Sequence, residues 1–118
     1  MTEETFDRVL KYLYDIKNAI YDIEQFTNTV VSLAQYESNR MVKMATERAL
    51  ITVGEAVNRI LHADETIQIS SSKRIVQFRN RITHEYDGID DTQVWVIIKR
   101  YIPQLKNEVD ALIQQREQ

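Results

Sequence analysis

Only two glycines and one proline punctuate the 118 residues of this chain, so it holds almost none of the backbone chemistry that tight turns require. Ala, Leu, Ile, Glu, Lys, Gln and Arg fill the remainder, a composition that suits helices better than sheets. Such a chain is expected to be all-α. Its length suits one domain, residues 1–118, with a single core and no room for a second.

The apolar spacing supports that expectation. Phe6, Val9, Leu10, Leu13, Ile16 and Ile20 recur at three- and four-residue steps, which at about 100° per residue gathers them into one stripe. They predict a first helix from Glu3 to about Tyr21, capped by Thr2. The stretch from Phe26 to Asn39 reads as a bent continuation. A long helix follows from Arg40 to His62, apolar on two sides: Leu50, Val53, Val57, Ile60 and Leu61 on one, Met41, Met44, Ala45 and Ile51 on another. A helix with two apolar faces is either central or touches a second subunit. Arg48 and Glu55 fall on the second face, where charges are costly unless paired, so they are expected to find partners.

Ser70-Ser71-Ser72 offers caps for a third helix running to about Tyr86, and Asp90 or Asp91 can cap a fourth. Val94, Ile97, Ile98, Tyr101, Ile102, Leu105, Val109, Leu112 and Ile113 form the apolar face of that fourth helix, and Pro103 is expected to bend it. Short connections between such helices point to an antiparallel bundle.

Several functions are excluded or disfavoured. Without cysteine there is no disulfide, thiol catalysis or thiolate metal site, as suits a reducing cytoplasm. The acidic start MTEETFDRVL is unlike a secretory signal, and no apolar run approaches the roughly 20 residues that span a bilayer, so no membrane is expected. A net charge of -3 argues against broad polyelectrolyte binding. The basic residues are nevertheless concentrated: Lys73, Arg74, Arg79 and Arg81 precede His84 with no acid among them.

That basic segment ends in Arg79-Asn80-Arg81-Ile82-Thr83-His84-Glu85-Tyr86. On a helix Ile75, Phe78 and Ile82 face the core and Arg79 flanks them, with Thr83 beside it. Arg79 and His84, five residues apart, stand roughly 140° apart around the axis, so they do not share a face. Either the helix loosens, or the long arginine reaches round, or a second copy completes the site. A histidine can take the proton of a ribose 2′-hydroxyl or supply one to a leaving 5′-oxygen. An arginine can clamp the phosphate, and an amide such as Asn80 can orient either group. That suffices to cleave RNA with no metal or cofactor. The chain has two histidines, His62 and His84, and Asp87-Gly88-Ile89-Asp90-Asp91 lacks the alternation of a calcium loop. A solvated helix face carries the same residue types, and the residues alone leave both readings open.

Arg79 and Asn80, followed after three residues by His84, Glu85 and Tyr86, resemble the Arg-Asn...His-x-Tyr signature of HEPN-domain proteins, specifically the HepT-like family of toxin–antitoxin modules. Glu47-Arg48-Ala49-Leu50...Gly54-Glu55-Ala56 resembles that family's central helix. Asp87-Gly88-Ile89-Asp90...Val94-Trp95...Ile102-Pro103-Gln104-Leu105 resembles its later segment. The resemblance implies a HEPN-like bundle of four or five helices that forms a homodimer, joining two motifs in a cleft that cuts RNA. By the same resemblance Arg79, His84 and Asn80 are catalytic, and the partner is an MntA-like nucleotidyltransferase antitoxin that places AMP on Tyr86. Thr83 and Arg81 are candidate RNA contacts, although Arg81 can equally pair with Glu85. Arg48 and Glu55 are candidates for lining or bracing the dimer cleft. The rival expectation is a non-catalytic, nucleotide- or substrate-binding subunit of a nucleotidyltransferase.

Overall fold

The computed structural model of the protein describes residues 2–84 and 89–117. Helix α1 (Glu3–Thr27) begins where the Thr2 hydroxyl accepts the Thr5 N–H at 3.1 Å, the cap expected from the sequence. It continues past Tyr21 because Ile23 adds a further turn to the buried stripe of Val9, Leu13, Ile16 and Ile20. The segment after it is not a bent continuation. A separate short helix, α2 (Leu33–Ser38), is capped by Ser32 and exists to bury one side chain, Tyr36, whose ring meets Trp95 at 5.8 Å.

Helix α3 (Arg40–Ala63) starts on Asn39, whose side chain accepts the Val42 N–H at 3.1 Å. It buries Leu50, Val53, Val57 and Ile60 against α1 and α4 (Ser72–His84). The expected serine caps of α4 serve another purpose. The Ser70 N–H and hydroxyl both donate to the Glu108 carboxylate, at 3.0 and 2.9 Å, and the Ser71 hydroxyl lies 3.4 Å from Gln104 Oε1. The serine run thus ties the start of α4 to the last helix. The Glu108 carboxylate also supplies negative charge near the α4 N-terminus, where Lys73 and Arg74 have the wrong sign for the helix dipole.

The fourth long helical segment comprises α5 (Asp91–Val96), a π turn (Ile97–Tyr101) and α6 (Ile102–Glu117). Asp90 caps it by accepting the Thr92 N–H at 2.9 Å. Pro103 cannot donate to Lys99, and its ring crowds that carbonyl in a regular helix. The backbone widens just before it, with the Ile102 N–H reaching Ile97 O five residues back. Where a bend was expected at Pro103, the helix accommodates the proline with a π turn just before it.

Contacts between elements define an antiparallel bundle. Tyr14 bonds to Glu117, Lys17 pairs with Asp110 at 3.6 Å and Glu24 with Lys106 at 2.8 Å, so residue numbers fall along α6 as they rise along α1. Arg59 lies over the Tyr12 ring near one end of α1, and Ala45 shares a groove with Phe26 near the other, so α3 is also antiparallel to α1. Val94, Ile97, Ile98, Ile102, Leu105, Val109 and Ile113 complete the core. Each such aliphatic side chain is worth roughly 1.5–3 kcal/mol when fully buried. No helix among the described residues is long and apolar enough to cross a membrane.

Where α2, α3 and α5 meet, Lys43 bonds to Asp91 at 2.8 Å beside Glu47 and the buried Tyr36. Burial, followed by the Glu47 and Asp91 carboxylates, pushes the Tyr36 phenol far up and keeps it neutral.

Candidate functional site

The core-facing residues of α4 are Ile75, Phe78 and Ile82, which leaves Arg79 on the flank toward α3. There it meets Gly54, in the middle of α3. A methyl group on Gly54 would overlap Arg79 Cβ and stand 2.8 Å from its Cγ and 3.4 Å from Ile75 O. A glycine inside a helix costs about 1 kcal/mol relative to alanine. Here the missing side chain provides the space in which the arginine stem lies. Arg79 Nε is shielded from solvent and has no hydrogen-bond partner among the described residues. An orphaned buried donor of this kind costs roughly 1–3 kcal/mol.

Helix α4 stays regular through His84, which is exposed. The helix therefore does not loosen to bring Arg79 and His84 together, and the stem pinned on Gly54 works against Arg79 reaching round. Asn80 is exposed on the outer side of α4. The Thr83 hydroxyl donates to Arg79 O at 2.9 Å, so its proton is committed to the helix and only its acceptor capacity is left over. Arg81 points to the opposite flank from Arg79 and donates to Gln93 Oε1 at 2.6 Å. The expected alternative partner, Glu85, and the expected modification site, Tyr86, lie outside the described residues.

The partners expected for Arg48 and Glu55 are not supplied by the described residues of the protomer. Both residues are exposed on α3. The face that carries them is apolar in sequence but open in this chain, with Met41 at 80% and Met44 at 60% exposure. Solvated charges need no partner within the protomer. Arg48 instead borders a shallow groove shared with Asp15, Asp22 and Phe26 of α1.

Residues 16–112 match the family model described as "Ribonuclease HepT-like". The chain belongs to the HepT-like ribonuclease family. That span includes every α3 and α4 residue considered above. Among its relatives, "Putative RNase MJ1380" of Methanocaldococcus jannaschii is 35% identical over 88% of this chain and 95% of its own. "Putative RNase MJ0125" of the same organism is 32% identical over 91% and 92%. "Probable ribonuclease HepT" of Thermococcus cleftensis is 30% identical over 86% and 92%. No solved structure matches the chain.

In this HepT-like chain, inspection of the motif alone misses two features. Gly54 stands as an isolated glycine inside a long helical pattern, a position that costs about 1 kcal/mol relative to alanine, and its packing reason emerges only with α4 in place. Gln93 and Tyr101, on the segment after the motif, lie with Arg81 on one cleft. Nothing local in the sequence marks that meeting, because it depends on how α5 and the π turn dock against α4.

Proposed function

We propose that the chain is the toxin of a toxin–antitoxin pair, an endoribonuclease of the cytoplasm that needs no metal and works as a homodimer of one-domain HEPN-like subunits. His84 takes the proton from a ribose 2′-hydroxyl as that oxygen attacks the adjacent phosphorus, and returns a proton to the 5′-oxygen as its bond to phosphorus breaks. The products are a 2′,3′-cyclic phosphate and a free 5′-hydroxyl. Arg79 holds the non-bridging oxygens while charge develops on them, and Asn80 keeps the pair aligned.

The observation that carries this reading is the position of Arg79 in a member of a ribonuclease family. Its stem is fixed on Gly54 and its Nε lacks a protein partner among the described residues, which suits a guanidinium set to receive an anion. The offset of Arg79 from His84 on a regular helix favours a second copy contributing to the site. The open face of α3 suits that copy. If a two-fold axis passes between Ile51 and Thr52, Arg48 stands opposite Glu55 of the partner subunit, and the same pair recurs on the other side of the axis.

The proposed antitoxin is a small MntA-like nucleotidyltransferase that transfers AMP from ATP to the Tyr86 hydroxyl with release of pyrophosphate. The added adenylate would compete for the Arg79 phosphate site. Separate His84→Ala and Arg79→Ala variants should each lose roughly 10²–10⁴-fold in RNA cleavage, read as fragments ending in cyclic phosphate. Full cleavage by both variants would overturn the assignment. A wild-type protein that binds nucleotide but yields no such fragments would favour the non-catalytic reading.

A further inference from the structure

The flank of α4 opposite Arg79 borders a cleft of about 260 Å³ between α4 and the α5–π segment, with Arg74, Gln77, Arg81, Gln93 and Tyr101 among its lining residues. The Arg74 guanidinium lies over the Tyr101 ring, 4.7 Å from its centroid, and Arg81 is held by Gln93 at 2.6 Å. Each arginine thus has a neutral partner that positions it without neutralising its charge, and no carboxylate lines the cleft among the described residues. Phe78 and Ile97, both buried, contribute apolar surface. Ile97 and Tyr101 also begin and end the π turn, a feature frequent at functional sites.

The chemistry of the lining selects a ligand class. A guanidinium stacked on a phenol ring still presents a flat outer face, which suits a nucleobase. The amides of Gln77 and Gln93 offer both donors and acceptors, as base edges do, whereas an acidic peptide presents carboxylates that only accept. Arg74 and Arg81 are seven residues apart, roughly 10 Å along the axis, so each can address its own phosphate. The volume falls below the roughly 300 Å³ at which pockets begin to take drug-sized ligands, and so suits one nucleotide unit of a longer strand. Asn80 and His84 are exposed on α4 between this flank and the Arg79 flank, so a strand seated in the cleft would cross them.

We propose that the cleft is a subsite for single-stranded RNA next to the scissile bond, with one base on the Arg74–Tyr101 stack and a neighbouring phosphate on Arg81. It deepens the ribonuclease reading and rests on it for the identity of the strand, but binding can be measured without cleavage. A fluorescently labelled single-stranded DNA, which lacks the 2′-hydroxyl, is titrated against the full-length protein and against Tyr101→Leu, Arg74→Gln and Arg74→Lys variants, with thermal melts to verify folding. Loss of stacking should weaken binding about tenfold in Tyr101→Leu and Arg74→Gln. Arg74→Lys should recover the part due to charge alone. With RNA as substrate, the loss should fall on KM rather than kcat.

Equal binding by wild type and all folded variants would overturn the subsite. So would an acidic peptide, poly-glutamate, that binds as tightly as the strand and depends on the same residues. DNA binding that depends on these residues, with no RNA cleavage by the wild type, would sink the ribonuclease reading and leave the subsite standing.

Discussion

The two sides of α3 carry similar apolar content in sequence and have opposite fates in the fold. One side, Leu50, Val53, Val57 and Ile60, is buried, and Gly54 at its margin receives the Arg79 stem. The other, Met41, Met44, Arg48, Ile51 and Glu55, is left largely to solvent. Apolar spacing therefore identifies a face that needs covering but not what covers it. The closed side shows how this protein fixes the Arg79 stem: α3 lacks a side chain at Gly54, so that another can lie against the backbone. The open side has no such tailoring within the chain, and under the proposed homodimer its two charges would face their counterparts on an antiparallel copy of the same helix.

The largest effect is expected from filling the space at Gly54. Alanine there gains about 1 kcal/mol of helix propensity. Its methyl would overlap Arg79 Cβ, however, and this is the root of a side chain held between two helices rather than a flexible end that could swing aside. Overpacking of this kind costs about 1–3 kcal/mol, so Gly54→Ala should melt at a lower temperature than wild type. It should also lose most RNA cleavage, because α4 must shift and carry Arg79 with it. A variant as stable and active as wild type would show that the Gly54 contact does not fix the arginine.

A smaller effect, confined to assembly, is expected on the open side. Arg48→Glu or Glu55→Arg alone would set like charges against each other at two symmetric places, raising the dimer dissociation constant roughly tenfold or more. The double exchange should restore it, and cleavage should follow the dimer fraction. Sedimentation at several protein concentrations measures this directly. If single and double variants dissociate alike, the second copy does not dock along α3 in this register.

The same contrast explains what could be read in advance. Helix positions and most of the core follow from periodicity, because one stripe per helix must be buried whatever the partner; Ile75, Phe78 and Ile82 of α4 are buried as their spacing predicts. The motif stood out through its resemblance to a family signature, because Arg, Asn and His on a helix surface are by themselves as compatible with simple solvation. The missing parts depend on contacts between distant segments. α2 buries Tyr36 against Trp95, almost sixty positions later, and the 26–39 stretch carries no periodic signal of its own. The expectation of paired charges at Arg48 and Glu55 assumed a covered face, and the protomer leaves that face open.

The smallest expected effect concerns Glu47, half-buried at the border of the closed side and next to Lys43 and Asp91. Its carboxyl is held above the usual 4.5, first by burial and second by the Asp91 charge, with Lys43 opposing. The folded protein therefore keeps this proton at a pH where the unfolded chain has released it. Stability from this group is present below the unfolded pKa and is lost as pH rises through the folded one. Glu47→Gln removes that titration while keeping the shape, so the variant should match or slightly exceed wild type near neutral pH and lose the Glu47 contribution to the slope on the acid side. Urea midpoints measured from about pH 4 to pH 7 test the sign. If the variant is instead clearly weaker at neutral pH and equal to wild type in acid, the pairing of Glu47 with Lys43 outweighs its burial, and the border of the closed side is held by charge rather than by exclusion of water.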